Sequence, residues 1–245
     1  MNFKVVIPAR YASSRLPGKP LLDIAGKPMV IRVAEQALKS GASEIVIATD
    51  FEKIRQTAEN YGINAVITRI DHASGTDRIA EVADKLNWPD DAIVVNVQGD
   101  EPLIEPALIT EVAQHLAQSQ AAVMATACHA IHDEASLLNP NIVKVVIDNN
   151  GHALYFSRAP IPYPRDDAYK SNIQAYRHIG IYAYRVGFLK QYAQLTATAL
   201  EKIESLEQLR VLHYGYKIGV AITSNAPASG VDTQEDLDLA RTLFA

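Results

Sequence analysis

Arg10, Arg15 and Lys19 lie close together in a loop that also holds Gly18, immediately after an apolar, β-rich run from Phe3 to Ile7. Arginine presents forked donors and lysine a compact charge, and both match phosphate oxygens. Six basic residues and one acidic residue fall between Met1 and Arg32, whereas the whole chain carries a formal charge of -5. This local reversal points to an anionic small molecule held at the end of a buried strand. Neither PGKP nor AGKP completes a Walker A pattern, and GxGxxG is absent, so an ATPase or a dinucleotide dehydrogenase is not indicated. Arg78 follows the SGT turn and could reach the same ligand; as a first-turn helix residue it could equally pair with Asp77. Gln98 could hydrogen-bond a base or a sugar, or simply close a strand.

Asp100 and Asp232 are the carboxylates best placed for a hard cation. Each stands after a strand or loop and ahead of a helical stretch. Magnesium is commonly held by one or two carboxylates together with substrate phosphates. Asp232 has a competing use as a helix N-cap, with Glu235 as its capping-box partner. Glu101 could instead hold the loop. The seven histidines, among them His72, His129, His132 and His178, show no zinc spacing. His178 lies in the aromatic, basic run YRHIGIYAYR, where a structural and a substrate-contacting role are equally compatible. Ser13 and Ser14 lack a nucleophile elbow, so no serine hydrolase is indicated.

The elements needed to position these groups follow from periodicity. Strands are expected at Phe3–Ile7, Glu44–Ala48, Asn64–Ile67, Ala92–Val97, Ala121–Cys128 and Lys217–Ile222. Helices are expected at Pro28–Leu38, Phe51–Tyr61, from Ser74 through Leu86, Pro106–Leu116, Glu201–Leu209 and Thr233–Leu243. This alternation is of α/β type. Ala92–Val97 reads as a central parallel strand, which places Asp100 just beyond its carboxyl end. From about 139 to 185 the pattern changes. Val143–Ile147 and Ala153–Ser157 flank the turn DNNG, RAPIPYPRDD is too proline-rich for a helix, and His178–Tyr184 is β-like. That stretch reads as an inserted β-rich region of one domain spanning residues 1–245.

Hydrophobic residues make up 48% and charged residues 21% of the 245, which favours an ordered core over disorder. The acidic balance disfavours a nucleic-acid-binding surface. A single cysteine, Cys128, excludes an intrachain disulfide framework. The apolar run at the start is too short for a signal peptide, and no run reaches membrane-spanning length, so a cytoplasmic protein without membrane insertion is expected.

Seven blocks occur together in order: PARYASSRLPGKPL at 8–21, HASGTDR at 72–78, NVQGDEPLI at 96–104, YFSRAPIPY at 155–163, RHIGIYAYR at 177–185, ESLEQLR at 204–210 and SGVDTQEDL at 229–237. As an ordered set they resemble the 3-deoxy-manno-octulosonate (Kdo) cytidylyltransferase, or CMP-Kdo synthetase, family over essentially the whole chain. The resemblance implies a mixed, largely parallel nucleotidyltransferase-like sheet flanked by helices, with a β-rich insertion used for homodimerisation and sugar binding. The implied reaction is CTP plus Kdo giving CMP-Kdo and pyrophosphate, for lipopolysaccharide assembly. It assigns Arg10, Arg15 and Lys19 to the CTP phosphates, Arg78 and Gln98 to the nucleotide site, and Asp100 and Asp232 to Mg2+. It places Arg158, His178, Glu207 and Gln208 on the sugar-acid side, with Arg158 a candidate for the carboxylate. Other readings of the chemistry are a sialic-acid cytidylyltransferase, a sugar-1-phosphate nucleotidyltransferase, and a nucleotide-binding regulator without turnover.

Overall fold

The computed structural model describes residues 1–12, 16–72, 74–166, 174–224, 226–228 and 230–244. Among these, the strands in chain order are β1 (Lys4–Ala9), β2 (Asp23–Ile24), β3 (Lys27–Pro28), β4 (Glu44–Thr49), β5 (Asn64–Ile67), β6 (Ile93–Asn96), β7 (Ala122–Ile131), β8 (Lys144–Ile147), β9 (Ala153–Ser157), β10 (Ala175–Arg185) and β11 (Lys217–Ile222). The helices are α1 (Met29–Lys39), α2 (Glu52–Asn60), α3 (Gly75–Lys85), α4 (Pro106–Gln118), α5 (Glu134–Leu138), α6 (Val186–Tyr192), α7 (Ala199–Glu204), α8 (Gln208–His213) and α9 (Gln234–Phe244). Lys19–Leu21 forms a single 3-10 turn.

One mixed sheet runs in the order β11-β7-β10-β6-β1-β4-β5, with the hairpin β8–β9 attached through β10. β6, β1, β4 and β5 are parallel. The strand read as central and parallel, β6, is central but mixed: it is parallel to β1 and antiparallel to β10, because the chain returns into the sheet from the β-rich region. That region is therefore part of the core. β10 pairs with β8 near its start, with β7 along its length and with β6 at its end.

The continuous apolar runs make sense because both sheet faces are covered. Along β1 and β4, Val5, Ile7, Ile45 and Ile47 enter one apolar layer, while Val6, Val46 and Ala48 enter the other. The first layer includes α1 and α4, whose buried residues recur at helical spacing: Val30, Val33, Ala34 and Ala37, then Leu108, Ile109, Val112 and Leu116. The second includes Ile79 and Val82 of α3 and Leu189 of α6.

A smaller apolar group positions the site. Leu16, Ile24 and Met29 from the first segment of the chain pack with Val231, Leu237 and Ala240 from the last. Burying side chains of this size stabilises by roughly 1.5–3 kcal/mol each. The contact fixes the loop carrying Lys19 against the segment carrying Asp232.

Three features differ from the periodicity reading. Glu201–Leu209 is two helices, because Ser205 takes a left-handed conformation (φ 53, ψ 50) that ends α7. The helices α5 and α6 are too short to announce a period. Asp232 is not the cap of α9: Thr233 Oγ accepts from the Asp236 N–H at 3.2 Å, and Asp236 Oδ2 accepts from the Thr233 N–H at 2.8 Å. This reciprocal pair takes the place of the alternative pairing with Glu235, and Asp232 lines the cleft instead.

Candidate active site

Two cavities adjoin beyond the carboxyl ends of β1 and β6, the region where open α/β sheets place ligands. The first is a cleft of about 390 Å³ whose lining includes Pro8, Arg10, Lys19, Gln98, Asp100 and Asp232. The second, of about 270 Å³, is lined by Asn96, Gln98, His178, Tyr192, Glu207 and Gln208, among others. Gly75 and Gln98 line both.

The 3-10 turn that follows Gly18 aims Lys19 inward, and the Lys19 N–H donates to the Leu16 carbonyl at 3.1 Å. Lys19 Nζ donates to Asp100 Oδ2 at 2.6 Å and to Asp232 Oδ1 at 2.9 Å. The two aspartates therefore meet, although far apart in sequence. Their approach is held by the backbone, since the Val231 N–H donates to the Asp100 carbonyl at 2.8 Å. Gly230 permits it, because a Cβ there would stand 3.3 Å from that carbonyl oxygen.

Two carboxylate oxygens converging on one ammonium form a hard, anionic oxygen pair around a cation position. That donor set suits magnesium completed by water and phosphate oxygens. No group of three or more His, Cys, Asp or Glu side chains among the described residues is arranged as a self-sufficient metal cage. Neighbouring Glu101 is pushed up to about 7, first by burial and then by the charge of Asp100.

Arg10 lines the cleft, and its Nη2 donates to the His72 carbonyl at 2.9 Å. Arg15 lies outside the described residues. Arg78 lines neither cavity. It is fully buried, with Nη2 donating to Asp50 Oδ2 at 3.1 Å and Nη1 to Thr68 Oγ. Asp50 Oδ1 in turn accepts from the Tyr11 N–H at 3.3 Å, and Tyr11 stacks on Phe51 with centroids 4.0 Å apart. Arg78 is thus placed beneath the loop after β1, bonded to Asp50, which also accepts from Tyr11 of that loop, and pairs neither with Asp77 nor with a group lining the two cavities. The sequence could not locate it, since Asp50 and Thr68 come from other elements.

Of the four residues the resemblance assigns to the sugar-acid side, His178, Glu207 and Gln208 line the second cavity and Arg158 does not. Arg158 is tied down by backbone carbonyls: Nε donates to Glu204 at 2.7 Å and Nη1 to Pro140 at 3.1 Å. The break at Ser205 is what turns Glu207 and Gln208 toward the cavity. The Glu207 carboxyl reaches Thr76 Oγ at 3.4 Å, and desolvation raises its pKa even though the residue as a whole is exposed.

His178 is shifted down to about 3 by burial, with its Nε2 2.9 Å from Thr126 Oγ. It is therefore neutral at physiological pH. A histidine whose folded pKa lies below the unfolded value stabilises fully above the unfolded pKa, near 6.5, and the contribution is lost as pH falls toward about 3. On the order of 1–2 kcal/mol should be lost by about pH 5. His178→Gln should flatten the fall of Tm with pH in that window, and an unchanged slope in a thermal melt series would count against this assignment.

Comparison with known proteins is consistent with this geometry. A family model described as cytidylyltransferase matches residues 4–218. The 3-deoxy-manno-octulosonate cytidylyltransferase of Neisseria gonorrhoeae (strain NCCP11945) is 58% identical over 249 aligned residues, covering 99% of this chain and 98% of that one. The enzyme of the same name from Neisseria meningitidis serogroup A (serotype 4A) is 57% identical, with the same coverage. The chain belongs to the CMP-Kdo synthetase family of cytidylyltransferases. It is also similar in structure to a CMP:2-keto-3-deoxy-manno-octonic acid synthetase complexed with CTP, at a TM-score of 0.91, 46% identity, and coverage of 99% and 98% of the two chains.

Membership gives Gly99 a functional setting. A Cβ at this position would lie 2.6 Å from the Pro8 carbonyl oxygen, a backbone atom that cannot rotate away. Gly99→Ala should push the Gln98–Asp100 turn off the end of β1. Displacements of about 1 Å at such sites cost on the order of 10²-fold in rate. Steady-state kinetics on the purified variant would check this, and near-wild-type kcat/KM would refute it.

Among the described residues, Asn96 and Tyr192 also line the second cavity, and the sequence reading did not single them out. A signal existed for Asn96. It ends the strand two residues before Gln98, so a strand continued to Gln98 would put the two side chains on the same face. Tyr192 closes a short helix and carries no such signal.

Proposed function

We propose that this chain is a cytoplasmic enzyme that transfers CMP from CTP to the anomeric hydroxyl of Kdo, with Mg2+, supplying an activated sugar for lipopolysaccharide biosynthesis. The observation that carries the proposal is the adjacency of a cleft holding Arg10, Lys19 and a carboxylate pair and a polar cavity that no lysine or arginine among the described residues lines, joined at Gln98 and Gly75. The first suits a triphosphate and the second a polyhydroxylated acceptor. The names of the relatives agree with both.

In this reading, Arg10 and Lys19 hold the triphosphate, as Arg15 is expected to do from its place in the loop. Gln98 stands between the two substrates. A sugar hydroxyl in the second cavity approaches the α-phosphorus, the new P–O bond forms as the hydroxyl loses its proton to solvent, and the bond to the departing pyrophosphate breaks. Both reactants are anionic, so fixed cations in a partly dry cleft reduce their repulsion and stabilise charge developing on the leaving group. Mg2+ held by Asp100 and Asp232 with the phosphates would add positive charge at phosphorus and at pyrophosphate. His178, held neutral, is suited to hydrogen bonding rather than to neutralising charge.

The assembly is a homodimer in this reading. Leu138, Leu154, Tyr163 and Ile203 are each more than half exposed on the β-rich region and the helices beside it, an arrangement suited to covering by a second copy.

The test is magnesium-dependent pyrophosphate release with CTP, ATP, GTP or UTP against Kdo, 8-amino-Kdo, sialic acid and sugar 1-phosphates, with mass detection of products. CMP-Kdo as the preferred product supports the proposal. Preferred use of a sugar phosphate, or CTP binding without any product, overturns it.

A further inference from the structure

Glu204 lines neither cavity, yet it joins two walls of the second. One wall carries Glu207 and Gln208, the other His178. Glu204 is the last residue of α7, and the chain turns at Ser205 directly after it. Its carboxylate accepts from Ser157 Oγ at 2.6 Å and from the Arg158 N–H at 2.9 Å. Its carbonyl accepts from Arg158 Nε at 2.7 Å. These bonds fix the start of the Ser205 turn to the end of β9.

β9 is fixed in turn to the wall that carries His178. Ser157 stands opposite Lys144 of β8, and Lys144 opposite Arg177 of β10. The His178 N–H donates to the Val143 carbonyl at 2.8 Å. Lys144 is fully buried, and its Nζ donates to the carbonyls of Asn139 at 3.0 Å, Ile142 at 2.6 Å and Arg158 at 2.7 Å. An ammonium has three donors, and all of them are used there. Burial pushes the Lys144 pKa down, and the Glu204 charge works against that fall. Lys144 and Glu204 therefore grip Arg158 by its carbonyl and by its N–H.

Other contacts hold the helices of the turn without setting their position as closely. Glu201 of α7 is ion-paired with Arg210 of α8, which ties the two helices to each other. Leu206 and Leu209 are buried in the second apolar layer. Apolar burial is non-directional and tolerates sliding, whereas a hydrogen bond weakens steeply with distance and angle. The bonds to Glu204 are the directional link between the turn and the β8–β9 hairpin.

Resting on the proposed transfer to a sugar-acid acceptor, we infer that Glu204 is a positioning residue. By bonding Ser157 and Arg158 it sets the separation between His178 and the Glu207–Gln208 pair, and so the fit of the acceptor between them.

The test measures pyrophosphate release by Glu204→Leu, Glu204→Gln and Ser157→Ala, with CTP and Kdo each varied, beside a thermal melt. Glu204→Leu keeps the bulk and removes both carboxylate acceptors. Its kcat/KM for Kdo should fall on the order of 10- to 10²-fold through a raised KM, as a displaced positioning group causes. KM for CTP should be unchanged, because Arg10 and Lys19 stand on the other cavity. Glu204→Gln should recover most of the loss, since its amide oxygen can accept from the Arg158 N–H while its NH2 donates to Ser157 Oγ. Ser157→Ala removes one bond to Glu204 and should show a smaller loss in the same parameter, about 5-fold. It carries the test if Glu204→Leu does not fold. A loss shared equally by CTP and Kdo, unchanged kinetics in a folded variant, or a Glu204→Gln enzyme as impaired as Glu204→Leu overturns the inference while leaving the proposed reaction standing. If wild type makes no CMP-linked product from any sugar acid, the proposed reaction falls and this inference with it.

Discussion

Asp100→Asn is expected to lower kcat/KM for CTP by on the order of 10²- to 10³-fold, with a rightward shift in the magnesium concentration needed for half-maximal rate. The substitution keeps the shape of the side chain and removes half of the charge that faces Lys19 Nζ at 2.6 and 2.9 Å. An amide presents one neutral oxygen where a carboxylate offered a charged one, so both a hard cation and the placement of Lys19 suffer. Stability should change little. The Asp100 side chain is 35% exposed, and its charge is one of the two causes that raise the pKa of neighbouring Glu101, so neutralising it relieves a local repulsion. The decisive measurement is a magnesium titration of pyrophosphate release alongside a thermal melt. A wild-type titration curve would remove Asp100 from the proposed cation site. A large fall in Tm with proportionate loss of activity would make its role one of folding.

Arg78→Met should act in the opposite way, chiefly on stability. The guanidinium is fully buried against Asp50, whose side chain is 8% exposed, and against Thr68. Burial lowers the Arg78 pKa and the Asp50 charge raises it, so the pair depends on mutual compensation in a poorly solvated place. Removing one partner of such a pair leaves an uncompensated charge and typically costs about 3–5 kcal/mol. For a chain of this size Tm should fall by roughly 6–15 °C. KM for CTP should also rise, because Asp50 Oδ1 accepts from Tyr11 N–H in the loop that carries Arg10. Adding Asp50→Asn should recover a substantial part of the lost Tm, since the stranded charge is gone, while the loop stays less well held. If the double variant is no more stable than Arg78→Met, stranding of the Asp50 charge is not the cause. Purely kinetic damage from Arg78→Met, without a change in Tm, would return Arg78 to the ligand surface.

The contrast between these two residues shows how far local pattern reaches. Asp100 follows an apolar strand and a glycine, so its position at a ligand-bearing sheet edge can be read from neighbours in sequence. Lys19 is equally legible, because its loop is shaped by Gly18 and Pro20 right beside it. Arg78 has the same kind of local signature, a charged residue in the first turn after Ser74, yet its side chain turns under the loop to Asp50 and Thr68, the residues just after β4 and β5. Asp232 presents the converse case. Its local pattern offers a helix cap, but Thr233 and Asp236 take that role one residue later and leave the carboxylate to the cleft.

The sequence by itself determined the strand and helix alternation, because two-residue and 3.6-residue periods are set by which faces each element must bury. It also determined the cationic loop and the carboxylates, because charge and turn chemistry are carried by adjacent residues. Tertiary structure alone decided that Asp100 and Asp232 meet across Lys19, that Arg78 supports rather than lines the cleft, that Arg158 is held by backbone carbonyls, and that Asn96, Tyr192 and Gln208 share one cavity. Each of these depends on side chains from distant segments brought together by packing of the two apolar layers and of Leu16 against Val231. Burial and pairing are properties of that packed arrangement, and no window of sequence contains them.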